Sequence, residues 1–213
     1  MWRLKRMKNN ELIQLFKEIV KTIVNHKDEL TKLDQEIGDS DHGINLARGF
    51  QVAREKLEDL EGEKIDIIIK GVSRALISNV GGASGILYGS FFQKMAPIVQ
   101  DKEEIDLPIY IEMLEAGIDA IKQRGRSEFG EKTMLDVLIP YMDYLKNNKQ
   151  QPLNQLFSEA TREAKKHLEE TRDRPATKGR AAYLGERSIG HIDPGAMSTF
   201  LMIETVEAYI QSK

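Results

Sequence analysis

Ile65-Asp66-Ile67-Ile68-Ile69 is the stretch on which the fold class turns. Its β-branched isoleucines suit an extended strand. A strand needs a partner, and no other segment of the 213 residues shows period-2 alternation of apolar and polar positions. The run is therefore read as the start of a helix over 64–79. Outward from it, apolar residues recur at helical spacing in about eight segments. The first is capped by Asn10 and carries Leu12, Ile13, Leu15, Phe16, Ile19, Val20, Ile23 and Val24. The others fall at 44–60, 84–99, 107–123, 133–147, 153–172 and 195–212. Short connections join them, apart from one stretch around 173–194 that mixes Pro, Gly, Arg and Asp without a clean period. The expectation is an all-α fold: one antiparallel bundle of about eight amphipathic helices, with its chemistry on the loops.

Composition agrees with an ordinary globular chain. Hydrophobic residues make up 40%, charged residues 31% and aromatics 7%, the inventory of a helical core rather than a disordered segment. Thirty-one Lys and Arg against 34 Asp and Glu give a net charge of -3, which argues against a sequence-independent grip on nucleic acid. The absence of Cys excludes disulfides, thiolate metal sites and a Cys nucleophile, and fits a reducing cytosol. Residues 1–9 read as a short N-terminal extension without an apolar leader, and no later run reaches membrane-spanning length. A single domain over 10–213, cytoplasmic and with no membrane partner, is expected.

Leu33-Asp34-Gln35-Glu36-Ile37-Gly38-Asp39-Ser40-Asp41-His42-Gly43-Ile44-Asn45 is the most informative chemical segment. Three Asp within eight residues repel one another unless a cation neutralises them. Asp39 and Asp41 point the same way along an extended loop, and Asp34 at the end of the preceding helix converges on them. Such an all-oxygen set suits Mg2+ that also holds phosphate. An EF-hand is excluded, because counting from Asp39 its later ligand positions hold Gly43, Ile44 and Phe50. A plainer role for Asp39 and Ser40 is capping the helix that begins near Gly43; that leaves Asp34 unexplained. His42 and Asn45 face a ligand over the first turn of that helix, a natural phosphate seat, whereas His26 and His167 read as surface hydrogen-bonding residues.

Gly81-Gly82-Ala83-Ser84-Gly85 lets backbone amides approach a ligand, although by itself it reads equally as a tight helix connection. Gly125-Arg126-Ser127-Glu128-Phe129-Gly130-Glu131-Lys132-Thr133 has a Walker A look, but Glu131 stands where Lys should follow Gly, and the stretch follows an amphipathic helix instead of a strand. A P-loop fold is rejected. Thr133 and Met134 then open a helix whose first turn faces nucleotide. In 178–198, Arg180 offers a planar charge for a phosphate in transfer, and Asp193-Pro194 reads as a helix start that Asp193 caps.

In combination, Asp-x4-Asp-x-Asp-His-Gly, Gly-Gly-Ala-Ser-Gly, Gly-x-Lys-Thr-Met and Lys-Gly-Arg-Ala-x-Tyr-Leu-Gly-Glu-Arg-Ser-x-Gly-His-x-Asp-Pro-Gly-Ala closely resemble the nucleotide-binding L-subunit family of bacterial dihydroxyacetone kinases, in order from about residue 10 to 212. The resemblance implies a closed barrel of eight antiparallel helices with nucleotide at one end. It implies two Mg2+ on Asp34, Asp39 and Asp41, and ADP or ATP on His42, Asn45, Ala83, Ser84, Gly125, Thr133, Met134, Arg180, Asp193 and Gly195, with Arg180 catalytic. ADP would remain bound as a coenzyme, rephosphorylated by a phosphohistidine protein (the M subunit), with phosphate passing to dihydroxyacetone on a separate K subunit. A chain without a ketose-holding domain is expected to need that partner; a homodimer is also compatible. Departures are Ser40 for the usual Gly or Ala, Ile86 for Pro and Glu131 for Asp. Two rivals stay open: an ATP-dependent ketose kinase subunit with freely exchanging ATP, and a nucleotide-bound regulator of a transcription factor.

Overall fold

The structure is a computed structural model that describes residues 6–213; the first five residues of the expected extension lie outside the described part. A two-residue strand β1 (Met7–Lys8) pairs antiparallel with β2 (Glu104–Ile105). Everything else regular among the described residues is helical: α1 (Asn9–Asn25), α2 (Lys27–Ile37), α3 (His42–Glu58), α4 (Ile65–Asn79), α5 (Gly82–Met95), α6 (Leu107–Gly125), α7 (Leu135–Asn147), α8 (Leu153–Glu170) and α9 (Pro194–Gln211), with short 3-10 turns at Ala96–Val99, Thr171–Asp173 and Arg180–Ser188. The fold class is all-α, and the isoleucine run opens a helix as its lack of a strand partner requires.

Two local expectations need correction. Asn10 does not cap α1, which starts at Asn9, two residues earlier than that cap implies; the backbone N–H of Lys8 donates to Glu11 Oε2 at 3.0 Å. The glutamate reaching back satisfies the helix start, so no asparagine cap is needed. The second correction is α2, a separate helix that the periodicity did not resolve. Only Leu30, Asp34 and Ile37 of its eleven residues are buried, so its apolar stripe is too thin to register against a polar background.

Each long helix packs on its neighbour in sequence from α3 through α9; α9 packs on α1 and α1 on α3, while α2 lies against α3 and α9. The apolar faces meet in one core, where Leu46, Phe50, Leu57, Ile68, Leu76, Leu135, Tyr141 and Leu156 have no exposed surface. Burial of such a side chain contributes about 1.5–3 kcal/mol. Within the core lies an apolar cavity of about 130 Å³, walled by Phe16, Phe91, Phe92 and Phe157 among others. No described helix is long and apolar enough to cross a membrane. The loops α2–α3, α4–α5 and α6–α7 and the segment between α8 and α9 gather around one cleft.

Candidate nucleotide and metal site

The cleft has a volume of about 730 Å³ and is walled by all thirteen residues that the sequence singled out: Asp34, Asp39, Asp41, His42, Asn45, Ala83, Ser84, Gly125, Thr133, Met134, Arg180, Asp193 and Gly195. Its acidic corner is built from α2 and the turn that follows. Asp34 is buried and its Oδ2 accepts the backbone N–H groups of Asp41 (2.8 Å) and His42 (3.1 Å), the free amides at the start of α3. Asp39 and Ser40 make no side-chain cap to that helix, nor does Asp41. With capping done by Asp34 from the previous helix, Asp39 and Asp41 are left facing the cleft, and one carboxylate oxygen from each of the three lies within 4.8 Å of the others.

Backbone constraints hold that corner. Gly38 packs so tightly that a Cβ there would stand 2.0 Å from Asp34 Oδ1. Ser40 adopts a left-handed φ of 63°, a conformation that glycine takes more readily. Burial raises the Asp41 pKa above the usual carboxylate value and the Asp39 charge raises it further, while a hydrogen bond from Asn45 opposes both. Crowded hard-oxygen donors that share repulsion are a chemically apt set for a divalent cation carrying phosphate. Arg48 orients Asn45 by donating to its Oδ1 at 2.8 Å.

His42 belongs to a buried network. Its Nδ1 lies 3.1 Å from Ser84 Oγ and its Nε2 lies 3.0 Å from Ser198 Oγ. Ser198 in turn donates to Gly195 O at 3.1 Å, so its oxygen accepts from Nε2–H, and Nδ1 accepts from Ser84. Burial pushes the imidazole down to about 4, so it is neutral near pH 7. Tyr88 closes the network against Ser198 (2.7 Å) and Thr199 (2.8 Å); burial lifts its pKa to about 12. His26, bonded to Thr22 O at 2.8 Å, and His167, between Glu163 and Glu170, lie away from the cleft.

The glycine turn lines the cleft beside the start of α3. Gly81 must be small, because a Cβ there would meet Asn45 at 2.9 Å, and Gly82 has a φ of 67°. Ala83 and Ser84 then fall in the first turn of α5, where amide N–H groups are free to face an anion. The 125–133 stretch leaves the end of α6 through Arg126 in the left-handed region (φ 47°), a helix end and no P-loop. Asp193 caps α9, accepting Ala196 N–H at 2.7 Å. Burial raises its pKa to about 7, with the backbone amide of Ala196 opposing and Asp136 adding to the rise.

Arg180 reaches the acidic corner from the long connection, its Nε 2.9 Å from Asp39 Oδ2. The connection seats on α2 through Ile37, Ala176 and Ala181. Two residues at the site were given no role by the sequence. Asp136, fully buried, accepts from Gly130 N–H (2.8 Å), Thr133 N–H (2.8 Å) and Arg174 Nη1 (2.9 Å). Lys132, 1% exposed, donates to the carbonyls of Arg174, Ser188 and His191. For Asp136 a signal existed: Thr133-x-x-Asp136 has capping-box spacing. For Lys132 none did, since its partners are far away in the chain.

A model of the DAK2 domain matches residues 36–208. The chain is 42% identical over 177 residues to the PEP-dependent dihydroxyacetone kinase ADP-binding subunit DhaL of Escherichia coli K12, covering 82% of this chain and 84% of that one. To the corresponding subunit of PEP-dependent dihydroxyacetone kinase 1 of Listeria innocua it is 44% identical over 181 residues, covering 85% and 86%. The crystal structure of the dihydroxyacetone kinase from C. freundii, in complex with AMP-PNP and Mg2+, matches with a TM-score of 0.74 at 21% identity, over 100% of this chain and 36% of that longer one; this likeness is one of fold. By family model and by identity over most of its length, the chain belongs to the DAK2 domain family, alongside the ADP-binding subunits of PEP-dependent dihydroxyacetone kinases.

Proposed function

We propose that this chain is the ADP-binding subunit of a cytoplasmic, phosphotransferase-type dihydroxyacetone kinase. It keeps ADP or ATP as a coenzyme with two Mg2+, takes phosphate from a phosphohistidine donor subunit, and delivers it to dihydroxyacetone on a K subunit. One observation carries the proposal: the carboxylates of Asp34, Asp39 and Asp41 converge within 4.8 Å on a cleft that a glycine turn and the start of α5 also line. The names of the relatives support the same assignment. The succession of helix neighbours from α1 through α3 to α9 and back to α1 supports a closed eight-helix barrel, with α2 outside the ring.

Magnesium bound at this corner supplies neutralisation of charge on the phosphate oxygens. The chain's own residues do the positioning. Asp34 is fixed by two amides and sets where Asp39 and Asp41 present their oxygens; Asn45 orients Asp41. Amides in the first turn of α5 face the phosphate chain, and Ser84 holds the neutral His42 beside them. Met134 and Gly195 line the cleft where the rest of the nucleotide would lie, and Arg180 brings a fixed cation to the end where phosphate charge develops. No nucleophilic side chain of this protein is required.

Native mass spectrometry of the purified chain in magnesium, followed by dilution into labelled ATP, tests the proposal. Retained ADP with two Mg2+ and slow exchange is the expected result. A chain that binds no nucleotide in magnesium overturns the assignment, and rapid exchange replaces the coenzyme role by that of an ATP-dependent kinase subunit.

A further inference from the structure

The connection from Arg174 to His191 leaves α8 and returns to α9 as a strap over the cleft, carrying Lys178, Arg180 and Tyr183 on its outer turn. Its two feet come together at one point. Lys132 Nζ donates to Arg174 O at 3.1 Å on the outgoing foot, and to Ser188 O at 2.7 Å and His191 O at 2.6 Å on the returning foot. An ammonium has three hydrogens, and all three are used here, at a side chain with 1% exposure. Lys132 therefore cannot reach a phosphate, whatever its place in a glycine-rich loop of Walker A appearance suggests.

The backbone at Lys132 is itself left-handed, with φ 62°, a conformation that bulky residues adopt only where the surroundings impose it. Lys132 lines the inner wall of the cleft with Thr133 and Met134, but its ammonium is spent on the three carbonyls behind that wall. One lysine thus joins the nucleotide-facing loop after α6 to both feet of the strap. Ser188 adds a second tie between the same feet: its Oγ accepts Ala176 N–H at 2.8 Å and donates to Gly185 O at 2.6 Å. Burial draws the lysine pKa downward, and the Asp193 charge opposes this.

We propose that Lys132 is the positioning residue for Arg180: by clamping both feet of the strap it holds the guanidinium over the carboxylate corner, where the outermost phosphate of the nucleotide lies. The proposal deepens the nucleotide-binding function proposed above and rests on it. A lysine that served stability alone would weaken every ligand state alike when replaced. A lysine that acts through Arg180 changes the preference for the longer phosphate chain, and does so only while Arg180 is present.

The test is calorimetric titration of the full chain, stripped of bound nucleotide by a magnesium chelator and returned to magnesium, with ADP and with a non-hydrolysable ATP analogue, for the wild type, Lys132→Met, Arg180→Ala and the double variant. Lys132→Gln and Ser188→Ala loosen the same strap more mildly and serve if Lys132→Met does not fold. The expected result is a loss of roughly tenfold or more in affinity for the ATP analogue in Lys132→Met, a smaller loss for ADP, and a double variant within about twofold of Arg180→Ala. Lys132→Gln and Ser188→Ala shift the same analogue-to-ADP ratio in the same direction. Losses that multiply in the double variant overturn the proposal, as does an unchanged ratio in Lys132→Gln and Ser188→Ala. Wild-type protein that binds neither nucleotide overturns the nucleotide-binding function itself, and this proposal with it.

Discussion

Replacing Asp136 by Ala removes three hydrogen bonds at once from a side chain with no exposed surface. The backbone N–H groups of Gly130 and Thr133, both in part-buried bonds, lose their acceptor, and a donor left unsatisfied away from water costs about 1–3 kcal/mol. Arg174 loses one of two carboxylate partners; it keeps Glu170 at 3.0 Å and its contact over the Phe129 ring, and it is 29% exposed. Its share therefore falls below the roughly 3–5 kcal/mol of a fully buried broken pair. The expected total is about 4 kcal/mol, which lowers the melting temperature of a chain this long by roughly 8–16 °C. Asp136→Asn keeps an acceptor for one amide and is expected to lose about half as much. Urea unfolding followed by far-UV circular dichroism, with a calorimetric scan for the midpoint, measures both. A loss below about 1 kcal/mol for Asp136→Ala would refute the reasoning, because both amides would then have found other partners.

Three further outcomes follow from the same geometry. Ser40→Gly relieves a left-handed residue at the acidic corner and is expected to stabilise the chain by about 0.5 kcal/mol after the entropy of the added glycine is subtracted, read as a raised urea midpoint at unchanged slope. Gly38→Ala puts a Cβ 2.0 Å from Asp34 Oδ1; Asp34 must move, and the affinity for Mg2+-nucleotide is expected to fall roughly a hundredfold in titration calorimetry while the helical circular dichroism persists. Asp193 has its carboxyl pKa raised on folding from 3.8 to about 7. A raised acid holds its proton more tightly in the native chain, so it subtracts stability progressively as pH rises from 3.8 to about 7. Asp193→Asn keeps a capping acceptor without that titration, so its stability relative to wild type is expected to improve by roughly 2 kcal/mol between pH 5 and pH 8; a pH-independent difference would sink this.

What the sequence discloses and what it hides divides along chain distance. Asp34, Asp39 and Asp41 are at most seven residues apart, so their spacing alone restricts where the carboxylates can point, and the structure brings them together. Asp193 before Pro194 is a helix start by local chemistry alone, and it caps α9. By contrast α2 hides because three buried side chains in eleven residues make too weak a period, and the Asn10 cap fails because a glutamate one turn on does the work from Lys8. The three carbonyls around Lys132 lie 42, 56 and 59 residues away; no pattern of residue types announces a backbone acceptor, since every residue has one.

That division also decides which force holds Arg180 in place. Its ion pair with Asp39 is conspicuous at 2.9 Å, yet the arginine side chain is 69% exposed and the aspartate 33% exposed, and solvent leaves such a pair worth about 0–1 kcal/mol. Asp39 is also one of the three carboxylates proposed to hold the cation, so on that proposal the pair is not what fixes the strap. The strap contacts that do not involve the carboxylate corner are the apolar seat of Ala176 and Ala181 on Ile37, the Ser188 cross-tie and the buried lysine. Charge therefore selects what Arg180 will meet, whereas buried backbone hydrogen bonds and a small apolar contact decide where it waits.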